Sequence, residues 1–278
     1  MPHGGARGKW TNAPFSFKFH RMNDARHYQI LILSSLLAYG MVGGLFAMQP
    51  WHMPVVMVSC LVTQWGCSRM FGVAFDPRSA LITALSLTIL LRVNVPAAAV
   101  FGSFVAISSK FFIRYNESHI FNPANFALIV CALLGFGWIS PGQWGSELWM
   151  AFLFCCLAVM VLSRSGTAIV SLAFLGFYAG IVLLRALWLG DPFVIPLHNL
   201  QSGAVLLFAF FMISDPKTTP ASMQGKIGFA ALTAFVAAVL QFAFFVPLAI
   251  IYALGISSII YCILRNLMQP HPNTMRTL

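Results

Sequence analysis

Acidic side chains are scarce in this 278-residue chain, with six Asp and Glu against sixteen Lys and Arg. A carboxylate among apolar residues is costly to desolvate, so its position points to chemistry or to a backbone cap. Asp215 closes an apolar run in Phe211-Met-Ile-Ser-Asp-Pro-Lys-Thr-Thr-Pro220. Two prolines so close together cannot continue a helix, and the chain must turn. Asp215 and Thr218 have side chains suited to an Asx-type turn or a helix cap. The alternative is irregular backbone lining a ligand cavity at membrane depth. A second dense region runs from Ser108 to Asn125 and holds Lys110, Arg114, Glu117 and His119. Lys110 and Arg114 stand four apart, on one face if the helix reaches that far. With the surrounding aromatics they suit a phosphate or the edge of a flavin ring, and equally a pair of topology anchors. Asn122-Pro123 reads as a helix start, Asn as N-cap and Pro at the first helical position. Asn125 then falls inside the span, where an amide needs a partner. The third region is His198-Asn-Leu-Gln-Ser-Gly203. Ser202 and its neighbours can cap a helix there, whose positive dipole end would face an anion or a carbonyl.

Other chemistries find little support. His52, His119 and His198 read as interfacial residues, and no pair of histidines has the spacing of haem ligands. No phosphate-binding glycine loop or Ser/His/Asp arrangement stands out. The six cysteines form no C-x-x-C pair, so they read as small apolar-facing residues and no metal site is expected. The adjacent Cys155 and Cys156 leave open a cluster completed by another subunit.

The elements that must hold these residues follow from composition. Apolar residues make up 59% of the chain and charged residues 8%, with a mean hydropathy of +0.84. A soluble domain carries roughly 25% charged residues. This excludes a soluble enzyme, a disordered chain and a nucleic-acid binder, and leaves an all-α polytopic membrane protein. Ten apolar segments are expected, at 28–48, 53–69, 78–91, 95–109, 120–138, 147–163, 167–189, 198–213, 226–246 and 247–268. The third, fourth and eighth are short, as half-helices are. A basic tail, 1–27, precedes this single transmembrane domain of 28–268, and a tail of 269–278 follows it. Placing both termini in the cytoplasm puts fourteen of the sixteen basic residues inside, leaving Arg92 and Arg185 outside. Tryptophans such as Trp51, Trp138 and Trp188 then gather at the outer ends. No signal peptide fits the N-terminal stretch.

Asp76-Pro77-Arg78-Ser79 and Asp215-Pro216-Lys217-Thr218 share the pattern D-P-[KR]-[ST]. Their separation of half the chain raises an internal duplication, with halves of 28–139 and 147–268. Both copies land on the inner side, which a simple inverted repeat would not give, so the question stays open.

The run from Ser202 to Pro216, a glycine-led apolar helix ending in F-M-I-S-D-P, resembles the signature of the RnfD/NqrB family. Ile120-Phe-Asn-Pro-Ala124 is similar to that family's F-N-P-A segment. The order of the two motifs and the hydropathy profile match over nearly the whole chain, and the wording is most similar to the compact UnbU-like branch. The resemblance implies a bacterial inner-membrane subunit of an electron-transport complex, with a duplicated bundle similar to urea transporters and with membrane or peripheral redox partners. It also implies a bound riboflavin or FMN. Many members attach FMN to a Thr in an S-G-A-T motif on the outer side. No threonine here lies in an outer connection, and Ser165-Gly166-Thr167-Ala168 has a different order on the inner side. The flavin is therefore expected to be noncovalent, held by Lys110, Arg114, His119, Asn122, Asn125, Ser202, Asp215 and Thr218. Two other functions remain open on this scaffold: a small-solute or flavin transporter, and a membrane anchor without a cofactor.

Overall fold

A computed structural model describes residues 25–43, 46, 48–115, 118–140 and 166–268. The sixth apolar segment, most of the N-terminal tail, the C-terminal tail, Glu117 and the Cys155–Cys156 pair lie outside the described residues. The helices are α1 (Ala25–Val42), α2 (His52–Met70), α3 (Pro77–Leu90), α4 (Pro96–Phe112), α5 (Pro123–Leu133), α6 (Ala168–Leu189), α7 (Val194–Leu200), α8 (Gly203–Leu207), α9 (Met223–Phe242) and α10 (Ala249–Met268). Among the described residues, α6, α9 and α10 are each long and apolar enough to cross a membrane. The segment expected at 198–213 starts at Val194 and breaks at Gln201 and Ser202. Its two pieces, α7 and α8 with its continuation to Met212, pass the same test only together, bent by 46°. Among the described residues, three helices meet this test by length and composition, or four spans if the bent pair is one. α3, α4 and α5 are shorter apolar helices. The chain is a helical membrane protein built around broken elements.

The segment expected at 120–138 is the most shortened. α5 ends at Leu133, and Gly135 at φ +70° turns the chain. Its successor, β4 (Trp138–Ile139), pairs antiparallel with β1 (Leu91–Arg92), which directly follows α3. A Cβ at Gly137 would lie 2.5 Å from the Arg92 carbonyl oxygen, so only glycine lets the two strands close. α3 and α5 thus share a plan: an extended polar N-cap, proline at the first turn, a short helix and a two-residue strand. They pack on each other, with α4 against α2 and α5, α1 against α3, and α9 between α6 and α10.

Two side chains at the far end of α3 are buried within the protein. Arg92, placed in an outer connection, is only 7% exposed. Its guanidinium donates to the carbonyls of Thr88 at 2.8 Å and Leu91 at 3.3 Å and lies over the Phe46 ring. The last turn of a helix leaves such carbonyls unbonded, and a cation satisfies them. His52, read as interfacial, is buried at the start of α2 with its ring edge against Trp51.

Candidate functional site

α3 and α5 bring their N-terminal ends to one cavity of about 340 Å³. At the start of α3, Asp76 accepts the Ser79 amide at 3.4 Å, and its other carboxylate oxygen takes the Arg26 guanidinium at 2.7 Å. At the start of α5, the Asn122 side-chain oxygen accepts the Asn125 amide at 3.1 Å. Proline follows each cap, as its fixed φ and missing N–H favour. Two helix N-termini at one cavity leave it positive.

The third wall comes from the end of α8. Its helix passes into a five-residue π-helical stretch, Phe208–Met212, with the Ile213 amide reaching the Phe208 carbonyl at 3.0 Å. Wide turns of this kind recur at functional sites. Phe210 and Phe211 line the cavity there, followed by Ser214 and Asp215. The turn at Asp215 is the expected Asx type. Its carboxylate accepts the Lys217 amide at 3.0 Å, and its carbonyl accepts the amides and hydroxyls of Thr218 and Thr219. The other carboxylate oxygen accepts the Asn122 amide at 3.3 Å, joining the second wall to the third.

Lys110, in the last turn of α4, is the buried cation of the site, at 5% exposure. Its ammonium donates to the Ser79 carbonyl and hydroxyl, each at 3.1 Å. Among the described residues no carboxylate lies within ion-pair distance of it. His119, on β3 (Ser118–His119), also lines the cavity. Burial, with the positive charges of Lys217, Lys110 and Arg114, lowers its pKa to about 4. The ring is therefore neutral at pH 7, and its Nδ1 is buried with no hydrogen-bond partner. Burial raises the pKa of Asp215, opposed by the Lys217 amide, the charges of Lys217 and Lys110, and the Asn122 side chain.

Of the residues singled out from the sequence, Lys110, His119, Asn122 and Asp215 meet at this cavity. The others do not. Arg114 cannot share a helix face with Lys110, because α4 ends at Phe112. It lies exposed on β2 (Arg114–Tyr115), paired across to His119. Asn125 is fully buried, and its amide donates to the Ile251 carbonyl at 3.1 Å, tying α5 to α10. Ser202 caps α8 through the Val205 amide and lines a separate pocket beside Tyr178 and Gln241. Thr218 faces a neighbouring cavity. Sequence reasoning missed Ser79, Thr83 and Ser86, which line the cavity from α3. Their spacing of four and three was the available signal: one hydroxyl face on an otherwise apolar helix.

This lining offers a cation, an amide, a neutral imidazole and hydroxyls opposite two phenylalanine rings. Such a lining can hold a planar heteroaromatic ring by its polar edge. The volume is at the lower end of the roughly 300–1,000 Å³ typical of ligand pockets. The model of the NQR2, RnfD, RnfE family matches residues 129–273, more than half of the chain. The match takes in the Asp215 wall and stops short of Lys110, His119 and Asn122. No curated protein matches the chain.

Proposed function

The chain belongs to the NQR2, RnfD, RnfE family, and from that premise we propose that it is the flavin-holding membrane subunit of an electron-transport complex. Members of this family are subunits of larger membrane complexes, and partners that deliver and remove electrons are part of the proposal. The observation that carries it is the first cavity, where Lys110 meets Asn122, Asp215, His119 and two phenylalanines. A noncovalent flavin bound there supplies the redox chemistry. The protein binds and tunes. Asn122 and the unpartnered His119 Nδ1 meet the polar edge of the ring. Phe210 and Phe211 cover its apolar part and exclude water. Among the described residues Lys110 has only neutral acceptors for its ammonium, so its charge is left to favour the electron-rich form of the ring. Asp215 holds Asn122 in place and closes the turn. Riboflavin and FMN both carry this ring.

Protein purified in mild detergent tests this directly. The expected result is a yellow sample with a flavin spectrum, close to one flavin per chain, released by denaturation and identified by mass spectrometry. A flavin that stays on the denatured chain would overturn noncovalent binding. A colourless sample that neither releases nor takes up flavin would overturn the proposal.

A further inference from the structure

A second cavity, of about 380 Å³, adjoins the first, and His119, Thr167 and Lys217 line both. Its composition differs in kind. Lys217, Lys226 and Arg265 line it, and among the described residues no Asp or Glu does. Two of the cations are held in place. Lys226 donates to the Gly166 carbonyl at 2.9 Å, and the Arg265 guanidinium lies 5.7 Å from the centre of the Tyr115 ring. Neither contact neutralises the charge. Ser258 also lines this cavity. It is 3% exposed, and among the described residues its hydroxyl has no hydrogen-bond partner, nor has that of Tyr261 beside it. Three cations and two available hydroxyl donors around one hollow match a doubly charged oxyanion. Cations that serve only to orient a chain in the membrane have no need of a cavity, or of a buried donor within it.

We propose that this second cavity is a phosphoryl-anion site. The site stands on its own lining. Its assignment to the phosphate of FMN, with the ring in the first cavity, rests on the flavin reading above. An anionic phospholipid headgroup is the other source of the same chemistry.

The full chain, purified and stripped of flavin, would be titrated with FMN and with riboflavin. The Lys226→Gln/Arg265→Gln double variant would be treated in parallel. The expected result is FMN binding at least about tenfold tighter than riboflavin. The double variant is expected to lose this preference, with riboflavin affinity and thermal midpoint unchanged, and Lys226→Arg/Arg265→Lys to restore it. Equal affinity for the two flavins would overturn the FMN assignment. Native mass spectrometry from phosphatidylglycerol nanodiscs then decides the source, since phospholipid retained by the wild type and lost from the double variant supports the site with a lipid headgroup. Equal flavin affinities together with equal lipid retention would overturn the site and leave the flavin reading intact. If neither flavin binds, the flavin reading fails, and the lipid comparison alone upholds or overturns the site.

Discussion

Asp76 and Asp215 open the same four-residue pattern and do different work. Asp76-Pro77-Arg78-Ser79 starts a helix, and its carboxylate caps the Ser79 amide and pairs with Arg26. Asp215-Pro216-Lys217-Thr218 starts none. Its carboxylate turns back on the Lys217 amide and takes Asn122 from a helix 93 positions earlier in the chain. The difference lies downstream. Ser79 is followed by twelve apolar or hydroxyl residues with good helix formers among them. Thr219 is followed by Pro220, which cannot donate to a helix and disfavours helical backbone in the residue before it. The chain must wait for Ser222, whose hydroxyl accepts the Gly225 amide and starts α9. The first aspartate therefore serves the helix start, and the second is left free to serve the cavity. A local motif fixes a turn, and the next few residues decide its use.

Exchanging the roles of the two aspartates is the strongest attempt to break this contrast. Asp215→Ala removes the turn acceptor and the partner of Asn122. It is expected to weaken flavin binding about 10–100-fold, or roughly 1.4–2.7 kcal/mol. Asp76→Ala is expected to change it by less than about threefold. Flavin titrations of the two variants check this, and equal losses would erase the distinction. Stability should rank them the other way. Asp76→Ala is expected to cost about 1–2 kcal/mol, the usual effect of a lost N-cap, seen as a lower thermal midpoint. Asp215→Asn keeps a side chain able to make the turn and should leave the midpoint near that of the wild type.

The pH dependence sharpens the same contrast. His119 has a folded pKa of about 4 against an ordinary 6.5. As pH falls from about 6.5 to about 4, the unfolded chain takes up a proton that the folded chain refuses, and stability is lost. Asp215 acts in the opposite sense. Its raised pKa lets the folded chain bind a proton more readily than the unfolded one, so its contribution improves as the carboxyl protonates. Thermal midpoints between pH 7 and pH 4.5 should fall in the wild type, and His119→Gln should flatten the slope. The smallest effect is expected from Arg26→Gln. The Arg26–Asp76 pair is 2.7 Å long, but its side chains are 43% and 32% exposed. Its loss should cost below about 1 kcal/mol and vanish in high salt, which leaves the cap as the part of Asp76 that matters.

Much of the site was legible because scarce residues in an apolar chain stand out. The Asx turn at Asp215, the Asn122-Pro123 helix start and the Ser202 cap all follow from side-chain chemistry within three residues, and the structure has each of them. Whether Arg114 shares a face with Lys110 was left to helix length, and α4 stops two residues short of it. Asn125 was read as facing a ligand because an amide in a span needs a partner. Its amide donates to a backbone carbonyl of α10, which no local pattern reveals. The hydroxyl face of α3 was visible at helical spacing, but serine and threonine inside helices often bond only their own backbone, as Thr83 does to the Ser79 carbonyl.

The sequence by itself determined that this is a helical membrane protein with broken segments, because apolar composition and proline caps act through the solvent and the local backbone. It also determined which few polar groups needed partners. The tertiary structure alone decided which partners they found. Lys110 reaches Ser79 across 31 positions and Asn122 reaches Asp215 across 93, and such pairings depend on which short helices end side by side. Likewise the strand pair joining the far ends of α3 and α5 rests on one close backbone approach at Gly137. Local chemistry sets what each residue requires, and packing sets what lies within its reach.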